Sequence, residues 1–316
     1  MSIIEKAVER LDQLKKAGVD VPAVSAPPTA EQPAVQPASV AQAPVAAVPV
    51  AAAPVAKAAP VSRPADDASQ SKRVNIDLTR LEMQGFVTPN NSRSIISEEF
   101  RVIKRPILKN IDGGVAGKHA NLIMVTSSVP GEGKSFSSIN LAISMAMELD
   151  HTVLLVDADV SRPSVLNHLG LPPAPGLMDV LLNPGQDLGE VLLRTNIDKL
   201  TLLPAGVPHQ RATEFLASDA MVGLLDQIAT RYHDRIVIFD SPPLLATTEA
   251  RVLATHMGQV VMVVEAARTT HAMVKQALAT IEACPIRLML LNKLRDAGAG
   301  AYGYYTPYGY GNAPAR

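Results

Sequence analysis

The stretch Ser128-Val-Pro-Gly-Glu-Gly-Lys-Ser135 brings together a lysine, a hydroxyl and two glycines between an apolar run and a helix-like segment. Such a strand–turn–helix wraps the phosphates of a nucleotide. Gly131 and Gly133 permit backbone torsions that turn successive N–H groups toward a β-phosphate. Lys134 has the reach to meet the β and γ oxygens, and the Ser135 hydroxyl is a ligand for Mg²⁺. The expected nucleotide-binding set is therefore Pro130, Gly131, Glu132, Gly133, Lys134, Ser135 and Phe136. Ser128 stands where the general pattern has glycine, so the motif rests partly on its context. A second kind of chemistry follows from carboxylates. Asp157 and Asp159 come just past one apolar run, Val153–Val156, and Asp240 follows another, Ile236–Phe239. A Mg²⁺–nucleotide needs hard oxygen ligands beside its phosphates, so Ser135, Asp157, Asp159 and Asp240 are the metal-site candidates. A strand-terminal aspartate also caps a following helix, which would explain any one of the three taken alone. Arg162 faces either a phosphate or Asp159. Asn292-Lys293, after Arg287–Leu291, sits either near a purine or in an exposed loop.

These residues need a scaffold that gathers strand ends. Short runs rich in β-branched residues, Leu122–Thr126, Val153–Val156, Leu200–Leu203, Ile236–Phe239, Val260–Val264 and Arg287–Leu291, alternate with helical patterns. The pattern predicts an α/β fold with a mostly parallel sheet flanked by helices. Ligands of such sheets lie at the carboxyl ends of the strands, where the polar residues above fall. A helix is expected over Phe136–Leu149. Another, with Ser97 as its N-cap, is expected to be interrupted at Pro106.

The chain has 316 residues and a formal net charge of -1, which gives no electrostatic footprint for nucleic acid. Cys284 is the only cysteine, so no intramolecular disulfide forms, in keeping with a reducing compartment. Residues 1–18 read as an amphipathic helix with Ile3, Ile4, Ala7, Leu11 and Leu14 on one stripe. Residues 19–71 are an Ala/Pro-rich linker, expected to be disordered and, at about 3.1 Å per residue, to span on the order of 100 Å or more. Its uncharged part carries Pro44, Pro49 and Pro54, which rules against a membrane span, and the N-terminus lacks a signal-peptide core. A nucleotide-binding domain is expected over 72–298. Residues 299–316 form a flexible Tyr/Gly-rich tail holding Tyr302, Tyr304, Tyr305, Tyr308 and Tyr310.

Taken together, the motifs resemble the bacterial tyrosine autokinases of polysaccharide export, most of all the separate kinase subunits of exosortase-associated systems. The resemblance covers roughly Asn91 to Tyr310. It rests on Pro130–Ser135, Leu154–Asp159, Ile238–Pro243, Pro175–Leu181, Leu203–Gly206 and the tyrosine cluster. It implies a phosphate-loop NTPase of the MinD/ParA-like branch that uses ATP and Mg²⁺, with Lys134, Asp157, Asp159 and Asp240 as catalytic residues. Asp159 is the expected acceptor of the tyrosyl proton, and the tail tyrosines are the phosphoacceptors, served in trans between protomers. The family's self-association motif aligns with Glu98, Arg101 and Lys104, the last a lysine where the family has arginine. The expected partners are further copies in a ring, an inner-membrane polysaccharide co-polymerase as activator, and a protein-tyrosine phosphatase, with no nucleic acid. The expected location is the cytoplasm, at the inner membrane through that partner. Val129 stands where the related positioning and partition ATPases carry an extra lysine, which separates the chain from such non-phosphorylating switches, the competing assignment.

Overall fold

The computed structural model describes residues 71–294 apart from 114–116, 184 and 232–234. The expected N-terminal helix, all but the end of the linker, and the tyrosine tail lie outside the described residues. The strands are β1 (Lys72–Arg73), β2 (Leu122–Ser127), β3 (Thr152–Asp157), β4 (Leu193–Arg194), β5 (Leu200–Leu203), β6 (Arg235–Asp240), β7 (Gln259–Glu265) and β8 (Ile286–Asn292). They make one sheet in the order β1-β4-β5-β3-β6-β2-β7-β8, parallel throughout except for the β4–β5 pair. The helices are α1 (Leu78–Met83), α2 (Ile95–Asp112), α3 (Lys134–Ala146), α4 (Val165–Leu169), α5 (Leu177–Leu182), α6 (Leu188–Val191), α7 (Ala212–Leu216), α8 (Asp219–Arg231), α9 (Glu249–Ala254) and α10 (His271–Ala279).

The central strands are buried on both faces, which is why they read as continuous apolar runs rather than alternating ones. Along β2, Leu122 and Met124 join a core layer with residues of α5, α7, α8 and α9. Ile123 and Val125 join the opposite layer, with residues of α2 and α3. The strands seen in the sequence all appear, most of them lengthened by a residue at one or both ends. Strands β1 and β4 are only two residues long and carried no readable period. Among the described residues, no helix is long and apolar enough to cross a membrane.

Register decides what meets at the carboxyl edge. Asp157 of β3 pairs directly with Asp240 of β6, and Asp240 in turn pairs with Val125 of β2. Just beyond, the Thr126 hydroxyl donates to Pro242 O at 2.8 Å and the Ser241 hydroxyl donates to Val125 O at 2.9 Å. The segment after β6 is thus tied down beside the phosphate-loop strand.

Two helix expectations change. Helix α2 starts at Ile95 with Ser94 as its cap, the hydroxyl accepting from Ser97 N. Ser97 is therefore the third residue of the helix and is buried, its own hydroxyl donating to Asn91 O at 2.8 Å. Nor does Pro106 end this helix, which runs on to Asp112. The missing N–H would have met Val102, a residue 52% exposed, so the freed carbonyl lies on the solvent side, while Ile107 and Leu108 keep their place in the core. Helix α3 begins two residues earlier than the apolar pattern suggested, because Gly133, at φ +96°, serves as its N-cap.

Helix α3 is held to the segment that precedes α2 by one buried amide. Val87 N donates to Asn140 Oδ1 at 2.6 Å, and Asn140 Nδ2 donates to Phe136 O at 2.8 Å. Replacing Asn140 with leucine would keep the volume but leave the Val87 N–H without an acceptor. We expect a loss of about 1–3 kcal/mol in unfolding free energy, measured by urea denaturation. An unchanged midpoint would show that this tie contributes nothing.

Candidate active site

The loop after β2 has the shape the two glycines allow. Gly131 and Gly133 have φ of +90° and +96°, a region that side chains with a Cβ rarely adopt. At Gly133 a Cβ would also lie 2.1 Å from Asn292 Nδ2. Helix α3 then opens with Lys134 and Ser135, presenting the free N–H groups of its first turn at the carboxyl edge of the sheet.

Four ionisable groups converge there. Lys134 Nζ lies 2.7 Å from Asp159 Oδ2 and donates to the Ser135 hydroxyl at 3.3 Å. Asp157 Oδ2 accepts from the backbone N–H groups of Ser164 and Val165, both at 3.0 Å. The Ser164 hydroxyl also donates to Ser135 Oγ at 2.9 Å. Asp157, Asp159 and Asp240 are all buried. Asp157 Oδ1 and both oxygens of Asp240 have no hydrogen-bond partner. The hydroxyls of Ser135 and Ser138 lie close enough to favour an ionised Asp240, but Ser138 donates to Ser135 O at 3.0 Å instead.

The electrostatics follow from this burial. Loss of water pushes the Asp157 carboxyl up to about 7, and the neighbouring Asp240 charge adds to the effect. Burial also raises Asp240, to about 6, with the Lys134 charge acting in the opposite sense. Burial alone would lower Lys134, but the carboxylates of Asp240 and Asp159 outweigh it and raise its pKa. Buried carboxylate oxygens without donors, next to a hydroxyl and an ammonium, suit a hard divalent cation. Among the described residues, no three His, Cys, Asp or Glu side chains form a metal site by themselves. The residues therefore fit Mg²⁺ only when it is shared with phosphate oxygens. In that arrangement Ser135, Asp157 and Asp240 would hold it, with Asp159 beside Lys134.

The remaining expected residues divide. Pro130 is exposed on the loop, and Phe136 is half-buried with its ring 4.9 Å from that of Phe86. The Glu132 side chain is committed to the protein itself and is fully buried, so only its backbone remains for a nucleotide. Asn292 Nδ2 donates to Glu132 O at 2.9 Å, which places Asn292 against the loop. Asp159 meets Arg162 through the Arg162 backbone N–H, at 3.2 Å. Of the self-association residues, Glu98 and Arg101 pair with each other on the half-exposed side of α2. Lys104 does not belong with them. It is buried, donates to Ser144 O at 2.6 Å and pairs with Glu148 at 2.8 Å, so it closes the end of α3. The exposed cation next along is Arg105, whose side chain is 62% exposed. The tyrosines Tyr302, Tyr304, Tyr305, Tyr308 and Tyr310 lie outside the described residues. Ser164 joins the site without a sequence expectation. Its only sequence signal was a serine ahead of a short apolar helix, and its partner lies 29 residues away.

Comparison with known proteins bears on the family and on the fold. The protein-family model described as an AAA domain matches residues 120–293, more than half of the chain. The "Tyrosine-protein kinase YwqD" of Bacillus subtilis is 30% identical over 70% of this chain and 91% of its own length. The "Tyrosine-protein kinase ptk" of Acinetobacter johnsonii is 30% identical over 73% of this chain, and the match spans only 31% of that longer protein. Among solved structures, the kinase domain of the Escherichia coli tyrosine kinase ETK superposes with a TM-score of 0.59, covering 75% of this chain and 94% of that one. At 23% identity this likeness speaks to the fold. Carrying an AAA domain and aligned over nearly the full length of the Bacillus kinase, the chain belongs to the bacterial tyrosine-protein kinase family.

Proposed function

We propose that the chain is an ATP-dependent protein-tyrosine autokinase that transfers the γ-phosphoryl group to its C-terminal tyrosines, Tyr302 to Tyr310, in trans between protomers. The observation that carries this reading is the convergence of Lys134, Ser135 and three buried aspartates at the mouth of a glycine loop. Membership of the tyrosine-kinase family selects phosphoryl transfer to tyrosine from among the reactions such a pocket supports.

The chemistry is mainly positioning and charge. The loop N–H groups and the first turn of α3 receive the phosphates. Mg²⁺, when bound with the nucleotide, would supply the positive charge that offsets the negative charge accumulating on the phosphoryl oxygens. Lys134 rests on Asp159 at 2.7 Å. As Lys134 turns to the β and γ oxygens, it leaves the Asp159 carboxylate free to take the proton of an incoming phenol. A phenol, with a pKa near 10, needs such help at neutral pH. The surrounding burial excludes water that would compete with tyrosine.

The biological setting rests on the family resemblance of the motifs. We place the kinase in an exosortase-associated exopolysaccharide system, controlling polymerisation and export. It would assemble as a ring through Glu98 and Arg101 of α2. It would be activated by an inner-membrane co-polymerase, held by that partner at the cytoplasmic face, and reset by a protein-tyrosine phosphatase. Each phosphotyrosine adds about -1.5 to -2 charge, so a multiply modified tail repels the carboxylate-lined mouth and loosens the ring.

Lys134→Met should reduce phosphotyrosine on Tyr302–Tyr310 by roughly a hundredfold or more, read by mass spectrometry after incubation with Mg-ATP. Undiminished labelling would remove this site from the reaction. A second prediction concerns pH. Asp240 and Asp157 have raised folded-state pKa values, so the folded protein holds protons that the unfolded chain releases near pH 4. Stability of the nucleotide-free protein therefore falls as pH rises from about 4 to between 6 and 7. The amide introduced by Asp240→Asn cannot ionise, so that variant should be more stable than wild type at pH 8. The difference should shrink to nothing near pH 4, and the same variant should not phosphorylate its tail. A variant less stable at pH 8 would mean that Asp240 is not held at a cost.

A further inference from the structure

The outer side of the phosphate loop is fastened by a network that nucleotide chemistry does not require. Its centre is Glu132, which has no exposed surface. Its Oε2 accepts from Val129 N at 2.7 Å, closing the loop on itself. Its Oε1 accepts from Glu265 N at 3.3 Å, at the end of β7, and from the Thr269 hydroxyl. Two side chains at the end of β8 complete the fastening. Asn292 Nδ2 donates to Glu132 O at 2.9 Å, and Lys293 Nζ donates to Gly131 O at 2.6 Å. Lys293 is held in turn by Glu265 Oε2 at 3.1 Å, an oxygen that Arg268 also reaches at 3.1 Å.

We propose that Glu132 and Thr269 are positioning residues of the phosphoryl-transfer site, forming a latch that holds the phosphate loop in its binding shape against the ends of β7 and β8. This deepens the kinase reading and rests on it. The physical reason is the loop's composition. With two glycines at positive φ, the free loop has many accessible conformations, and ordering it on binding would cost affinity. A buried carboxylate that accepts three donors, one from the loop and two from the β7–α10 turn, leaves one shape without strain. In that shape the N–H groups of Gly131 to Ser135 stay available to phosphate. The same latch makes the residues that lead into the tyrosine segment, Asn292 and Lys293, part of the loop's support.

The roles are separable because, among the described residues, the hydrogen bond that Thr269 makes to the loop is the one to Glu132. Thr269→Val removes the hydroxyl donor at nearly constant shape, and Thr269→Ser retains it. In the full-length protein, Mg-ADP affinity measured by calorimetry should fall roughly tenfold in Thr269→Val and stay within about twofold of wild type in Thr269→Ser. Glu132→Gln, which has one acceptor oxygen where the carboxylate has two, should fall at least as far as Thr269→Val. Affinity for AMP, measured by displacement of a fluorescent nucleotide, should fall less than that for ADP, since AMP lacks the β-phosphate around which the loop closes. A general loss of folding would weaken both nucleotides and would not be rescued by serine. Wild-type ADP affinity in Thr269→Val and Glu132→Gln, or equal losses for ADP and AMP, would overturn the latch. If the wild-type protein itself failed to bind Mg-ADP, the nucleotide site would be wrong and not the latch alone.

Discussion

The ladder pairing of Asp157 with Asp240, beneath Lys134, is the constraint around which the rest of the molecule is arranged. Two carboxylates at adjacent strand ends, out of water, repel each other and lose their hydration. Lys134 and two backbone N–H groups recover part of that energy and leave three carboxylate oxygens without donors. Such a site is poor for stability and well suited to binding a cation. The parallel sheet makes it possible, because neighbouring parallel strands end side by side and each can deliver one acid to the same point.

The glycine loop and the acids are built by different means. The acids are placed by strand register and held by the core on either side of the sheet. The loop has no core of its own. It takes its shape from Glu132, Asn292 and Lys293, which tie it to strands β7 and β8 on the side away from the acids. A nucleotide in this cleft would lie between a rigid set of charges and a loop whose rigidity depends on a few side-chain contacts. Changes on the β7–β8 side would therefore act on phosphate binding without touching the acids.

Much of this was legible in the sequence, and the boundary follows the range of the interactions. The strands and the phosphate loop announce themselves because their signals are local: β-branched runs, glycines and a Lys-Ser pair within a few residues. The three aspartates were legible as candidates because strand ends are where parallel sheets place ligands, although their register was not. Helix α2 departs from its sequence pattern because Ser94 and Ser97 both suit a cap, and because a proline on a solvent-facing turn need not stop a helix. Lys104 aligned with a surface motif, yet its reach to Ser144 and Glu148 depends on how α2 packs on α3. Glu132 read as part of a phosphate loop. Its partners Glu265 and Thr269 are more than 130 residues away, and no local pattern points to them.

The most direct measurement is the proton balance of nucleotide binding, obtained by calorimetry of Mg-ADP in buffers of differing ionisation enthalpy. Asp157 and Asp240, raised to about 7 and about 6, are partly protonated near pH 6.5 and must ionise when a cation is held beside them. Binding at pH 6.5 should therefore release protons, the release should fade by pH 8.5, and ADP without Mg²⁺ should bind more weakly and release fewer. Binding that is indifferent to Mg²⁺ and releases no protons at any pH in this range would contradict a shared carboxylate–cation site.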